Sequence, residues 1–132
     1  MKKRTRWILL AIAVIALAIV IAGVIAYRKI EENLTRLAAI EIKTVDLSRR
    51  GDGVYEGRYE SFPVTARVRV TVQDHKIVKI DLLEHVNGKG KDAETLPQRV
   101  IESQSLKVDV VSGATYSSKV ILKAIETALT TP

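Results

Sequence analysis

The residues best suited to chemistry lie in one stretch, Asp109-Val110-Val111-Ser112-Gly113-Ala114-Thr115-Tyr116-Ser117-Ser118. Four hydroxyl side chains, Ser112, Thr115, Ser117 and Ser118, surround the two smallest residues, Gly113 and Ala114. Small residues let a large group approach the backbone, and Gly113 opens backbone angles closed to other residues. The apolar spacing that follows predicts a helix starting here. A helix start exposes free N–H groups and a partial positive charge, which suit a phosphate. A strand, a tight turn and a serine cap would use the same residues without any ligand, and at this point both interpretations stand.

Other chemistries find little support. The chain has no cysteine, so disulfides, thiolate metal sites and a cysteine nucleophile are excluded. Its two histidines, His75 and His85, are too few for a histidine-rich metal site and sit in no motif with a nucleophile. The sequence therefore predicts no catalytic residue and no metal site of its own, and any chemistry has to come from a bound group.

The elements that must position the stretch can be read from periodicity. Val64, Ala66, Val68, Val70 and Val72 alternate with Thr65, Arg67, Arg69, Thr71 and Gln73, which predicts a half-buried strand. Val54 to Glu60 predicts a strand before it, with Gly57 as a bulge, and Ser61-Phe62-Pro63 breaks it. Asp74-His75 predicts a two-residue hairpin turn into a third strand over 76–84, with Val78, Ile80 and Leu82 inward. His85 to Asp92 predicts a loop, polar and positive from Asn87 to Lys91. Thr95 and Gln98 match a capping box for a helix with Pro97 in its first turn. Residues 106–111 predict a short buried strand. Ser117, Val120, Ile121, Ala124, Ile125 and Ala128 predict the inward face of a final amphipathic helix.

The fold class expected is α+β: an N-terminal transmembrane helix, then a small domain with an antiparallel β-meander packed against two helices. The boundaries expected are a cytoplasmic tail and anchor over 1–27, a stalk over 28–50 and the domain over 51–130. Residues 7–26 contain no charged residue. As a helix they span about 30 Å, a bilayer's hydrocarbon thickness. Lys2, Lys3, Arg4 and Arg6 precede the run, and Glu31 and Glu32 follow Arg28 and Lys29. That bias places the N-terminus in the cytoplasm and the domain outside it, as a single-pass protein of the cell membrane. A cleaved signal peptide, ending near Val24 and Ala26, would export the same domain.

The formal charge of +6 does not point to nucleic acid. Six basic residues lie in the first 29 positions, leaving 15 basic against 15 acidic residues beyond. No basic stripe with interleaved aromatics remains, so no nucleic-acid partner is expected.

Several segments together resemble the FMN-binding domain family: Asp52-Gly53-Val54-Tyr55-Glu56-Gly57, the hairpin, Glu84-His85, Ile101-Glu102-Ser103-Gln104-Ser105 and Asp109 to Thr115. This is the domain of the flavin subunits of sodium-pumping NADH:quinone oxidoreductases and Rnf-type complexes. The resemblance covers about residues 51–130. In the family, Asp-x-x-Ser/Thr-Gly-Ala-Thr/Ser carries FMN by a phosphoester on its last hydroxyl, installed by a flavin transferase outside the cytoplasm. Asp109, Ser112, Gly113, Ala114 and Thr115 match, so the resemblance implies Thr115 as acceptor. Ser117 and Ser118 stand where hydroxyls would hold the phosphate. Asp74-His75 departs from the more usual Asp-Gly turn, and the chain lacks the longer body of the respiratory subunits. The function implied is a membrane-anchored extracytoplasmic electron carrier between a membrane redox donor and an extracytoplasmic acceptor. Alternatives are reversible binding or sensing of FMN or another small anion, and a cofactor-free adaptor domain.

Overall fold

In the computed structural model, which describes residues 2–86 and 90–131, the chain forms two compact units, Met1–Glu32 and Asn33–Pro132. Helix α1, Lys2–Ala38, runs from the first into the second. In the first unit the apolar side chains, from Trp7 to Ile25, are all exposed. An 18-residue window of α1 has a mean hydropathy of 3.3, enough to cross a membrane, and a signal sequence shares that property.

The second unit is built on a three-stranded antiparallel meander in the order β1 (Gly53–Ser61), β2 (Val64–Gln73), β3 (Lys76–Val86). The α+β class is as expected. All five predicted inward residues of β2, Val64 to Val72, are buried. Asp74 and His75 form the β2–β3 turn, with φ of 51° and 59°. Such positive angles suit the right-handed twist of the flanking strands. His75 Nδ1 lies 2.9 Å from the Arg50 carbonyl oxygen, and Asp52 Oδ1 accepts from the Asp74 N–H at 2.8 Å. His75 is thus a turn residue. The β1–β2 turn holds a cis Phe62–Pro63 peptide.

Helix α3, Thr115–Thr130, packs on the inner face of the sheet. Its six predicted inward residues are all buried. Leu122, Glu126 and Leu129 are buried as well, because the segment after α1 runs along the helix. The Lys43 N–H donates to Glu126 Oε2 at 3.0 Å, and Lys119 Nζ donates to the Ile40 carbonyl at 3.0 Å. The Arg50 guanidinium donates to the carbonyls of Ala128 and Thr131 at the helix C-terminus, where a cation also meets the negative end of the dipole. Ile40, Ile42, Val45 and Leu47 pack against the core, so residues 33–50 belong to this compact unit.

Four local expectations are corrected. Gly57 is not a bulge: β1 pairs with β2 without a break, from Gly53↔Val72 to Ser61↔Val64. Gly57 instead allows contact with α3, since a Cβ there would lie 2.1 Å from the Ala124 carbonyl oxygen. The bulges fall in β3, at Val78 and Leu83, each skipped in its pairing with β2. Val78 is consequently 45% exposed and Ile77 takes the inward place at 2%. Residues 106–111 form no strand. They run extended by side-chain packing of Leu106, Val108 and Val111, while Gln104 occupies the nearby edge of β3. Its side chain accepts from the Ile77 N–H at 2.8 Å and donates to the Ile77 carbonyl at 2.7 Å. Finally, the capping box is absent from α2, Leu96–Ser103. A 3₁₀ turn, Lys91–Thr95, runs straight into the helix, so Thr95 Oγ1 donates to the Asp92 carbonyl instead.

Candidate functional site

The turn before α3 is held by its own polar groups. The Ala114 N–H donates to the Val111 carbonyl at 2.9 Å, closing a tight turn over Ser112 and Gly113. Gly113 has φ of 79°, and a Cβ on it would meet nothing within 4 Å, so this position is open to approach. Ser118 Oγ accepts from the Val111 N–H at 3.0 Å and donates to the Ala114 carbonyl at 2.7 Å. Ser118 is fully buried. Its hydroxyl is therefore committed to the shape of the turn, and no longer available to the surface.

The remaining candidate residues are distributed around this turn. Thr115 is the first residue of α3 and half-buried. Ala114 is its N-cap and supplies no side-chain hydrogen bond, and the first turn carries no acid. Neither the N-cap nor an acid of the first turn therefore occupies the free N–H groups there. Ser112 and Gly113 are exposed, as is Asp109 on the segment leading in. Ser117 is buried and lines a cavity of about 300 Å³. Leu34, Pro63, Val64, Gly90, Gly113, Ala114 and Tyr116 complete its lining. The wall is mostly apolar, and three of its members are glycine or alanine.

Of two charged features, one falls as the alternation of β2 predicts and one does not. Arg67 and Arg69 sit on the outer face of the sheet and pair with Glu56 at 3.6 and 2.7 Å. The Arg69 hydrogen bond, opposed in part by desolvation, holds the Glu56 carboxyl below its ordinary value of 4.5. These arginines are solvated charges. His85, by contrast, turns inward. The bulge at Leu83 brings it opposite buried Ala66, and its side chain is only 3% exposed. Its Nδ1 lies 3.0 Å from Glu94 Oε1. Alternation alone could not reveal this, because a bulge shifts the phase without leaving a mark in the apolar pattern. Of the expected positive loop, Asn87, Gly88 and Lys89 lie outside the described residues. Among the described residues no group of three or more acids and histidines could hold a metal.

Geometry alone therefore offers an exposed, glycine-opened turn, a hydroxyl at a helix start and an apolar cavity beside both. Residues 63–130, just over half the chain, match the family model of the FMN-binding domain. The chain belongs to the FMN-binding domain family. The match includes the lining of the cavity named above except Leu34, and the whole of α3. An NADH:acrylate oxidoreductase of Vibrio harveyi is 36% identical over 76 residues, covering 55% of this chain and 7% of that protein. An uncharacterized protein of Treponema pallidum (strain Nichols) is 29% identical over 104 residues, covering 76% of this chain and 28% of that protein. This FMN-binding domain chain thus spans under a third of each relative's length. Membership of the family supports a flavin-binding role. The residues present fit the flavin: an open glycine turn gives its bulk access, and the apolar cavity suits a flat ring face.

Proposed function

We propose that this FMN-binding domain is a membrane-anchored, extracytoplasmic electron carrier whose FMN is attached by a phosphoester to Thr115. The observation that carries the proposal is the Thr115 hydroxyl at the start of α3, whose N-cap makes no side-chain bond and whose chain neighbours Gly113, Ala114, Tyr116 and Ser117 line the 300 Å³ cavity. FMN, when bound, supplies reversible acceptance and donation of electrons. The chain's residues bind and orient it. Thr115 Oγ1 provides the attachment atom. The first N–H groups of α3 would hold its phosphate, with the positive end of the helix dipole behind them. Gly113 and Ala114 leave clearance, and Pro63 and Val64 exclude water from one side. Ser118 fixes the turn so that the acceptor is presented in one geometry. Asp109, exposed upstream, is placed to be met by the flavin transferase. The domain needs no nucleophile or acid–base pair of its own, since it relays electrons from a membrane donor, such as a quinol oxidoreductase, to an extracytoplasmic acceptor. The anchor bias and the apolar α1 support that placement. A covalent bond suits such a site, where a dissociating cofactor would be lost by dilution.

The test is co-expression of the full chain with an active flavin transferase, followed by a denaturing gel and intact mass. A fluorescent band and a mass increase of one FMN moiety are expected in the wild type, and neither in Thr115→Ala with its fold retained. Wild-type protein that stays unmodified, or releases all its flavin on denaturation, refutes covalent attachment. The same mass reports whether the N-terminal segment is kept.

A further inference from the structure

The geometry points to Lys119 as the charge partner of the phosphoester on Thr115, a positioning role that rests on the acceptor proposed above. Thr115 and Lys119 are four residues apart on α3. At that spacing two side chains lie on one face with Cβ atoms about 5–6 Å apart. Helical side chains lean toward the N-terminus, so the turn that holds Thr115 is within reach of a lysine at position 119. An ammonium has three N–H donors. One is used on the Ile40 carbonyl at 3.0 Å. The acid farther along the same helix, Glu126, is engaged by Lys123 Nζ at 2.8 Å and by the Lys43 N–H at 3.0 Å. Among the described residues Lys119 therefore has no carboxylate partner. Its side chain also lines a second, open cleft of about 420 Å³ with Ile40, Val108 and Leu122. That cleft gives the stem space to move without displacing core packing.

The electrostatic logic is direct. A phosphodiester carries one negative charge and presents strong acceptor oxygens, and a partly buried cation nearby is screened less than an exposed one. Lys119 would hold the phosphate against the helix start and leave the ring free to turn toward the cavity of Pro63 and Val64. Because Lys119 also grips the Ile40 carbonyl, the same residue joins the segment after α1 to the acceptor turn.

The test is a thermodynamic cycle between substitution and loading. Full-length wild type, Lys119→Gln and Lys119→Arg are prepared with and without FMN attached, and thermal midpoints are measured at low and high salt. Loading is expected to raise the wild-type midpoint. That rise falls by about half or more in Lys119→Gln, is kept in Lys119→Arg, and shrinks for wild type at high salt. If Lys119 serves only to hold Ile40, Lys119→Gln lowers both midpoints equally and the rise is unchanged, which overturns the assignment. Wild-type protein that accepts no FMN from an active transferase overturns the acceptor proposal, and this one with it. Loaded wild type with an unaltered rise in Lys119→Gln overturns this one alone.

Discussion

Gly57→Ala tests how the acceptor helix is seated. An added Cβ would lie 2.1 Å from the Ala124 carbonyl oxygen, 2.4 Å from the Ala128 amide nitrogen and 2.8 Å from the Ala128 Cβ. Ordinary contact begins at 3.4 Å, so the first of these demands a retreat of 1.3 Å. Two of the three neighbours are backbone atoms of α3, and no rotamer change relieves them. The helix has to lift from the sheet as a body, loosening Val120, Ile121, Ala124 and Ile125 from Val68 and Val70. Overpacking of a tight core costs about 1–3 kcal/mol, and a backbone clash of this size falls at the upper end, about 3 kcal/mol. Domains of this size have about 5–15 kcal/mol in total. With a urea slope of about 1–3 kcal/mol/M, the unfolding midpoint should drop by about 1–3 M. Gly51→Ala is the control, since a Cβ there meets nothing within 4 Å. Urea titration followed by circular dichroism reads both. An unchanged midpoint in Gly57→Ala would refute the claim that α3 lies directly on β1 at this glycine.

Two further outcomes are expected. Ser118→Ala removes the acceptor of the Val111 N–H and one donor to the Ala114 carbonyl in a buried site, which should cost about 1–3 kcal/mol by denaturant titration and slow FMN attachment, because the turn loses its fixed shape. Glu56 has a carboxyl held below its ordinary value of 4.5, so its contribution to stability is present above that pH and is lost as the pH falls below it. Glu56→Gln should therefore flatten the acid limb of the midpoint-against-pH curve below about pH 4.5 and leave activity near neutrality unaffected; as the pair is solvent-exposed, the effect is small.

The regular parts of this fold were legible because each has a period. β2 alternates over five inward residues, α3 repeats at helical spacing, and the Asp74-His75 turn lies between two apolar runs. The motif around Gly113 was legible from residue types alone. What escaped were features set by pairs of distant residues. Gly57 reads as a bulge until Ala124 and Ala128 are placed against it. Residues 106–111 read as a strand until Gln104 is seen filling the neighbouring edge. Ser118 reads as a surface hydroxyl until its bonds to Val111 and Ala114 turn it inward. The segment from Ile40 to Arg50 carries no period because it is fastened point by point to α3, through Lys43, Lys119 and Arg50. His85 faces inward only because of an irregularity two residues earlier.

That irregularity has a consequence for how β3 tolerates changes in length. Val78 and Leu83 are each one residue more than β2 requires, and each reverses which side of the strand faces the core. Two reversals restore the original parity, and removing a skipped residue and removing a paired one are different kinds of event. Deleting Leu83 alone would leave Glu84 opposite Arg67 and His85 opposite Ala66, with His85 still inward. Deleting Val78 and Leu83 together would likewise keep every pair, with a straighter strand. Loss of a skipped residue in this strand should therefore be accepted, and loss of a paired one rejected.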